Sequence, residues 1–267
     1  MEVSSFYDPD ASFFSASVMN IMGTKFEMLI AGNTDKEECS SVFNDIVSVL
    51  AGIDALANRF DPTSEVSLIN AAEPVSLVYI SPMMEDMLKT CMDYFCRTEG
   101  LFDITLEGKS DFMFSSDGAL VMPNDRFRLD FGGFAKGYAI KKIQSIMTDA
   151  GTGSAFVNFG NSSIYAKGAH PYGDVWKVSL PHPFTGKILK VFDLKDMCMS
   201  TSGNTPRYTG HIIDPRTGKH DRSARTSVVL AKDALDAEVL STVWLIADDS
   251  ARERLSSSFD IESAWLF

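Results

Sequence analysis

Residues 129–138 of this chain read Leu-Asp-Phe-Gly-Gly-Phe-Ala-Lys-Gly-Tyr, and this stretch is the most informative part of the sequence. A strand-like end runs into two glycines, and Lys136 follows in the first turns of a segment with helical apolar spacing. Glycine lets the backbone approach a ligand closely. A helix N-terminus beside a cation favours a phosphate group. The stretch therefore predicts a phosphate site at the start of a helix, although two glycines are also a common strand-to-helix connection.

The composition describes an acidic globular chain of 267 residues with a formal net charge of −12. Binding of nucleic acid requires a cationic face, so this charge argues against a nucleic-acid partner. The chain is 45% hydrophobic and 22% charged, as in ordinary enzymes. We expect one domain over residues 1–267, because neither a long polar linker nor an internal repeat interrupts the sequence.

The first ten residues, MEVSSFYDPD, contain no apolar core, and this predicts the absence of a secretory signal. No run approaches the roughly 18 apolar residues of a transmembrane helix, so we expect no membrane span. The expected location is cytoplasmic for the sequence as it stands, or exported (periplasmic) if a leader precedes it. None of the four cysteines forms a C-x-x-C pair, which favours free thiols over a zinc site.

Apolar periodicity predicts the secondary structure. Helical spacing predicts helices that open near residue 36 and at 82–97, 133–149 and 234–247. Strands are predicted on both sides of Met22-Gly23-Thr24, at five places between 155 and 201, at 225–231 and at 261–267. The strands cluster instead of alternating with helices, which indicates an α+β fold. We expect two layered, largely antiparallel sheets with helices packed on them and a ligand cleft between.

A hairpin turn is predicted where the chain reads His211-Ile-Ile-Asp214-Pro-Arg-Thr-Gly218. Proline fixes φ in such a turn, and the aspartate side chain bonds its own backbone. A lone histidine is more often structural than catalytic, yet imidazole titrates near working pH and can accept a proton. The residues alone leave both interpretations of His211 open.

Glu238 and Thr242 lie four residues apart on a predicted helix, so their side chains share one face. A carboxylate and a hydroxyl suit Mg²⁺, which keeps several waters and binds substrate phosphates. Such pairs also occur on solvated helix faces. The spacing of Glu238 and Thr242 alone therefore does not distinguish a metal site from a solvated helix face.

Taken in order, these segments resemble the ApbE-type FAD:protein FMN transferases, over nearly the whole chain from Met22 to Thr242. The chain matches the family patterns S-E-[IV]-S-x-[LI]-N, G-x-[FL]-D-[IV]-T and H-x-I-D-P-x-T-G at residues 64–70, 100–105 and 211–218. The pattern D-L-G-G-x-A-K-G-Y-A matches residues 130–139 with Phe131 for leucine, and residues 200–203 are similar to A-T-S-G.

The resemblance implies a flavin cleft and a metal site. Mg²⁺ would be held by the Gly133 carbonyl, the Glu238 carboxylate and the Thr242 hydroxyl. The family usually has aspartate where Glu238 stands, and the extra bond adds about 1.5 Å of reach. The residues that would contact FAD are Met22, Phe60, Leu101, Phe102, Asp103, Asp130, Lys136 and Ile212.

The activity that the resemblance implies is Mg²⁺-dependent transfer of FMN from FAD to a serine or threonine hydroxyl of an acceptor protein, with release of AMP. His211 is the candidate that accepts the hydroxyl proton. Lys136 and the helix N-terminus would add positive potential at the diphosphate. The alternatives are a metal-dependent FAD pyrophosphatase that yields FMN and AMP, a non-catalytic flavin carrier, and a non-enzymatic interaction protein.

Overall fold

One eight-stranded sheet carries most of the strands of this α+β protein. The structure, a computed structural model, describes residues 1–32, 35–106, 112–123 and 128–267. The helices are α1 (Lys36–Ala57), α2 (Glu65–Asn70), α3 (Pro82–Arg97), α4 (Ala135–Asp149), α5 (Ala234–Ile246) and α6 (Asp249–Ser258). The strands are β1 (Glu2–Asp8), β2 (Phe13–Ile21), β3 (Thr24–Ala31), β4 (Leu77–Val78), β5 (Met113–Phe114), β6 (Leu120–Val121), β7 (Ser154–Phe159), β8 (Ser163–Lys167), β9 (Trp176–Pro181), β10 (Ile188–Leu194), β11 (Met197–Gly203), β12 (Ile213–Asp214), β13 (Lys219–His220), β14 (Thr226–Ala231) and β15 (Ile261–Leu266).

The eight-stranded sheet has the order β1-β2-β3-β7-β8-β11-β14-β15, and all its pairs are antiparallel. Three small sheets accompany it: the hairpins β9-β10 and β12-β13, and the set β4-β6-β5. The α+β class with largely antiparallel sheets and packed helices is thereby confirmed.

The alternation of side chains along the strands divides the interior into two cores. On β14, Val229 belongs to the core beneath the helices, whereas Val228 and Leu230 belong to the core beneath the β9-β10 hairpin. Successive side chains of a strand point to opposite faces, so one sheet serves both cores. The molecule is therefore layered as helices, large sheet and hairpin.

Helices α1, α4 and α5 form the layer on one face of the large sheet. Helix α5 packs on β11, β14 and β15, α4 packs on α5, and α1 packs on α4 and β2. The predicted helix at 82–97 has those bounds in the structure, and α4 and α5 differ from prediction by one or two residues at their ends.

Helix α1 has the length and hydropathy of a membrane-crossing segment, which the sequence analysis did not anticipate. Buried core helices of globular proteins satisfy the same test. Cys39, Phe43, Ile46, Leu50 and Ile53 of α1 are buried in the core beneath the helices. One such helix is weak evidence about a membrane in either direction.

Strand β1, helix α2 and the short strands β4, β5 and β6 were not predicted. Strand β1 is exposed at its first five residues, so the sequence offers no apolar alternation there. Helix α2 has six residues, too few to show a helical period. Ser64 caps α2 and accepts from the N–H of Ser67, which explains the position of serine in the motif at 64–70.

Candidate functional site

Helices α4 and α5 cross in antiparallel register at two glycines. A Cβ added at Gly133 would lie 3.4 Å from Thr242 Oγ1, and one at Gly137 would lie 2.5 Å from the Glu238 Cβ. Gly133 lies in the turn just before α4 and Gly137 lies in its first turn, while Thr242 and Glu238 are one helical turn apart on α5. This register brings together Gly133, Lys136, Glu238 and Thr242, the four residues predicted to surround one ligand.

The Glu238 carboxylate is the centre of a buried polar network. Its Oε1 pairs with the Lys136 ammonium. Its Oε2 accepts hydrogen bonds from Ser163 Oγ at 2.6 Å and from Ser200 Oγ at 2.8 Å. Lys136 Nζ also donates to Ser163 Oγ at 2.8 Å. Strands β8 and β11 thus supply two hydroxyls to an ion pair held between two helices.

Glu238 remains ionised in spite of its burial. Burial alone would raise the pKa of this carboxyl, but the Lys136 ammonium and the hydrogen bonds from Lys136, Ser163 and Ser200 outweigh burial. The pKa of Glu238 therefore lies below its ordinary value. A buried charge that is both paired and hydrogen-bonded can persist in a protein interior.

A row of hydroxyls leads from this ion pair towards Thr242. Ser241 Oγ lies 3.1 Å from Ser200 Oγ and 2.7 Å from Ser202 Oγ. Ser202 Oγ in turn lies 3.2 Å from Thr242 Oγ1. The row gives β11, the strand with the Ser200–Gly203 motif, a direct connection to the predicted metal ligand.

The backbone before the two glycines is clamped by two other motifs. The Asn70 side chain donates to the Leu129 carbonyl at 3.0 Å and accepts from the Leu129 N–H at 2.7 Å. The Asp130 N–H donates to the Ile104 carbonyl at 2.8 Å. The motifs at 64–70 and 100–105 therefore fix the position of Asp130.

Replacement of Asn70 by alanine is expected to destabilise the fold by about 1–3 kcal/mol, because the buried backbone groups of Leu129 lose both partners. Urea denaturation measures the change. Asn44→Ala on the exposed face of α1 is the control and should shift the free energy of unfolding by less than about 0.5 kcal/mol. Equal effects of the two substitutions would contradict the clamp.

The N-terminus of α4 has no side-chain cap. Its first residues receive no capping hydrogen bond from a side chain, and its first turn contains no acidic residue. The other five described helices are capped by aspartate or serine side chains. The partial positive charge of this helix end is therefore directed at the cluster that contains Gly133 and Lys136.

Arg59 is a second cation near the glycine turn. Its Nε lies 3.3 Å from Asp130 Oδ2, and its guanidinium carbon lies 4.6 Å from the centroid of the Phe60 ring. Asp130 Oδ1 also accepts from the Gly132 N–H at 2.9 Å. Lys136 and Arg59 are thus each paired with a carboxylate.

His211 lies just before the predicted hairpin and interacts electrostatically with the Asp130 carboxylate. Its ring packs against that of Tyr208 at an interplanar angle of 32°, with centroids 4.1 Å apart. Partial burial lowers the pKa of His211, and the carboxylates of Asp130 and Asp221 oppose that effect without cancelling it. The imidazole is therefore neutral at pH 7 and able to accept a proton.

Asp214 shapes the turn of the hairpin, the structural role that its sequence suggests. Its backbone carbonyl accepts from the N–H groups of Thr217 at 3.1 Å and Gly218 at 2.8 Å. Burial opposes ionisation of Asp214, but hydrogen bonds from Arg216 outweigh it and hold the pKa of this carboxyl below its usual value.

The predicted flavin contacts differ in their exposure. Leu101, Phe102 and Ile212 are buried, and Phe102 lies 3.8 Å from a Cβ added at Gly133. Asp103 is also buried, and its carboxylate accepts from the Thr105 N–H and hydroxyl at 2.7 Å. Phe102 thus packs against the glycine turn, and the roles of all four side chains in flavin binding stay predictions.

Met22 and Phe60 lie near the C-terminal end of α1. Phe60 is 77% exposed and offers an open aromatic face. The Met22 N–H donates to Asp54 Oδ1 at 3.1 Å, which ties the β2-β3 turn to the end of α1. Roles of both side chains in flavin binding stay predictions.

The donors around Gly133 suit Mg²⁺ in kind. A backbone carbonyl, a carboxylate and a hydroxyl are hard oxygen ligands. The space beside Thr242 Oγ1 that a side chain at position 133 would fill is left open by glycine. The described residues contain no cluster of three or more His, Cys, Asp or Glu side chains for a metal. A cation here would therefore rely on these mixed donors, water and ligand oxygens.

Sequence reasoning missed Ser163, Arg59 and the role of Asn70. Ser163 follows Asn158-Phe159-Gly160-Asn161-Ser162, which stands in place of the family's N-x-G-G-[DN]. The difference from the family pattern draws attention to the turn at 158–162, but it gives no reason to single out Ser163, the residue that follows it. Arg59 adjoins Phe60, yet no spacing connects it with Asp130, because the contact joins distant parts of the chain.

Comparison with known proteins places these features in a family. A family model described as "ApbE family" matches residues 22–115 and 108–265. The chain is similar to "FAD:protein FMN transferase" of Rhodobacter capsulatus, with 25% identity over 74% of this chain and 45% of that protein. The protein of the same name from Chlamydia pneumoniae is 25% identical over 73% of this chain and 71% of that protein. The chain thus spans less than half of the first relative.

Solved structures show the same fold. The apo form of the flavinyl transferase ApbE of Pseudomonas stutzeri superposes with a TM-score of 0.78 at 20% identity, over 99% of this chain and 90% of that one. The flavin transferase ApbE of Vibrio cholerae gives a TM-score of 0.76 at 17% identity, over 99% and 97% of the two chains.

Proposed function

This chain belongs to the ApbE family, and from that premise we propose that it transfers the FMN part of FAD to a hydroxyl group of an acceptor protein and releases AMP. The relatives named FAD:protein FMN transferase support the reaction class. The observation that carries the proposal is the convergence of Lys136, Gly133, Glu238 and Thr242 at the uncapped N-terminus of α4.

The reaction exchanges one phosphorus–oxygen bond for another. The acceptor hydroxyl oxygen bonds to the phosphorus on the FMN side of the diphosphate. The bond from that phosphorus to the bridging oxygen breaks, and the bridging oxygen leaves with AMP. The hydroxyl proton passes to His211 and then to solvent. We propose serine or threonine as the acceptor residue, since both present an aliphatic hydroxyl.

The chain's own residues contribute position and charge, on which phosphoryl transfer mainly depends. The N–H groups at the start of α4 and the Lys136 ammonium bind diphosphate oxygens. Gly132 and Gly133 keep side chains out of that space. Asp130, whose N–H donates to the Ile104 carbonyl and whose neighbour Leu129 is held by Asn70, pairs with Arg59 and acts on His211. These groups place the phosphorus beside a neutral imidazole.

The charge of the site calls for a further cation. Among the described residues, Lys136 and Arg59 are offset by Glu238 and Asp130, so these four side chains together supply no net positive charge for a diphosphate. We propose that Gly133, Glu238 and Thr242 hold Mg²⁺. When bound, Mg²⁺ neutralises diphosphate oxygens and stabilises the charge that develops on the leaving group.

The test is incubation of the protein with FAD and Mg²⁺, with and without a serine- or threonine-containing acceptor peptide. AMP and an FMN-modified peptide should appear together, and AMP should require the peptide. Release of AMP and FMN without peptide would instead indicate the pyrophosphatase. Bound FAD with no AMP under either condition would indicate a flavin carrier.

The pH dependence of transfer is expected to report His211. Because its pKa is lowered, the acidic limb of kcat/KM for the acceptor should lie below pH 6.5, the ordinary imidazole value. Asp130→Asn removes a carboxylate that raises this pKa, so the limb should move to still lower pH. Asp193→Asn on the exposed side of β10 is the control. An acidic limb that does not move in Asp130→Asn would contradict this role of Asp130.

A further inference from the structure

The carboxylate proposed to bind the cation already has a full set of protein partners. Lys136 occupies Oε1, and Ser163 and Ser200 occupy Oε2. The Glu238 side chain is 4% exposed, so no open side remains for a cation to approach. A cation reaches this carboxylate only if one of the partners moves.

Lys136 is the partner able to move. Its ammonium sits on a flexible four-carbon stem in the first turn of α4, and its side chain is 22% exposed. Glu238 is held by two serine hydroxyls on one side and by close packing of its Cβ against Gly137 on the other. The exchange therefore occurs on the Lys136 side.

We propose that Lys136 and the divalent cation are alternative partners of the Glu238 carboxylate, so that the cation and the FAD diphosphate bind cooperatively. This inference rests on the proposed function of the site. The diphosphate takes the Lys136 ammonium, and the released carboxylate takes the cation. Every charge keeps a partner when both ligands bind together.

Either ligand alone leaves a charge unpaired. A diphosphate that draws Lys136 away leaves a buried carboxylate without its counter-charge, which is strongly unfavourable. A cation that displaces Lys136 leaves the ammonium with Ser163 as its described partner. The coupling is reciprocal by thermodynamic necessity: each ligand raises the affinity for the other by the same factor.

Two binding measurements on the full chain test this coupling. The first follows free Mn²⁺ by electron paramagnetic resonance in nucleotide-free protein. Lys136→Met should bind Mn²⁺ about tenfold more tightly than wild type or better, because Glu238 then lacks its resident cation. Lys141→Met is the matched control: it removes the same charge from the same helix, where Lys141 pairs with Asp233 at 2.6 Å. It should bind like wild type.

The second measurement follows quenching of flavin fluorescence as FAD binds, with and without Mg²⁺. Wild type and Lys141→Met should bind FAD more tightly with Mg²⁺, and Lys136→Met should lose most of that dependence. Mn²⁺ affinity in Lys136→Met equal to that of wild type would overturn the proposal. A Mg²⁺ dependence as large in Lys136→Met as in wild type would overturn it too.

If Lys136→Met is poorly folded without metal, thermal unfolding tests whether Lys136 and the cation compete for Glu238. Mn²⁺ should then raise the Tm of this variant far more than that of wild type, and an equal rise would overturn the inference. Failure of the proposed function can be distinguished from failure of this inference. Transfer of FMN by wild type without coupling overturns only this inference, whereas coupling without transfer overturns only the proposed function.

Discussion

Replacement of His211 by alanine is expected to slow FMN transfer by about 10²–10⁴-fold, the usual contribution of a positioned general base. The imidazole packs against the ring of Tyr208 and interacts electrostatically with the Asp130 carboxylate. Its pKa is lowered by partial burial. These features keep it neutral and close enough to Asp130 to respond to its charge, and we propose that it faces the diphosphate. FAD affinity should change little, because the proposed diphosphate contacts come from α4.

The measurement is the single-turnover rate of AMP release with acceptor peptide, together with FAD binding by fluorescence. Added imidazole should restore part of the rate in the alanine variant, since a free base can enter the vacated space. His182→Ala is the control, because His182 serves a local turn by accepting from the Phe184 N–H. A His211→Ala variant within a few-fold of wild type would assign the base role elsewhere.

Replacement of Gly137 by alanine is expected to destabilise the protein by about 1–3 kcal/mol, the cost of overpacking a filled interior. The added Cβ would lie 2.5 Å from the Glu238 Cβ and 3.0 Å from the Ala234 carbonyl oxygen. The second atom belongs to the backbone of α5, so rotation of a side chain does not relieve the contact. The two helices must separate, and the Lys136–Glu238 pair is disturbed with them.

Gly52 provides the opposite expectation within the same chain. It lies inside α1, and nothing lies within 4 Å of a Cβ added there. Gly52→Ala should therefore stabilise the protein by about 0.5–1 kcal/mol through helix propensity. Urea denaturation measures both variants. A stabilising Gly137→Ala would contradict the close crossing of α4 and α5.

The sequence predicted the parts of the site that local spacing determines. Glu238 and Thr242 share a face of α5 because they are four residues apart, and Lys136 follows Gly133 by three residues at the start of α4. The fold class and the order of the longer helices and of most strands of the large sheet also followed from periodicity. What spacing does not contain is the antiparallel register that pairs Gly133 with Thr242 and Gly137 with Glu238.

Contacts between distant segments account for what was missed. Ser163 and Arg59 carry no local signal, since each acquires its role from a partner in another part of the fold. The burial of Leu101, Phe102 and Asp103 could not be predicted from the sequence either. A motif whose side chains contact a ligand and a motif whose side chains are buried beneath the ligand site have similar compositions. The register of α4 on α5 determines which residues meet at the site. That register results from the packing of the whole interior, which local sequence patterns do not contain.

The close crossing at Gly137 and Glu238 also limits how this chain can change through evolution. A larger residue at 137 is compatible with the fold only if position 238 shrinks or the helices move apart. Descendant sequences should therefore inherit the two positions as a pair, with any altered residue at 137 accompanied by a compensating replacement at 238.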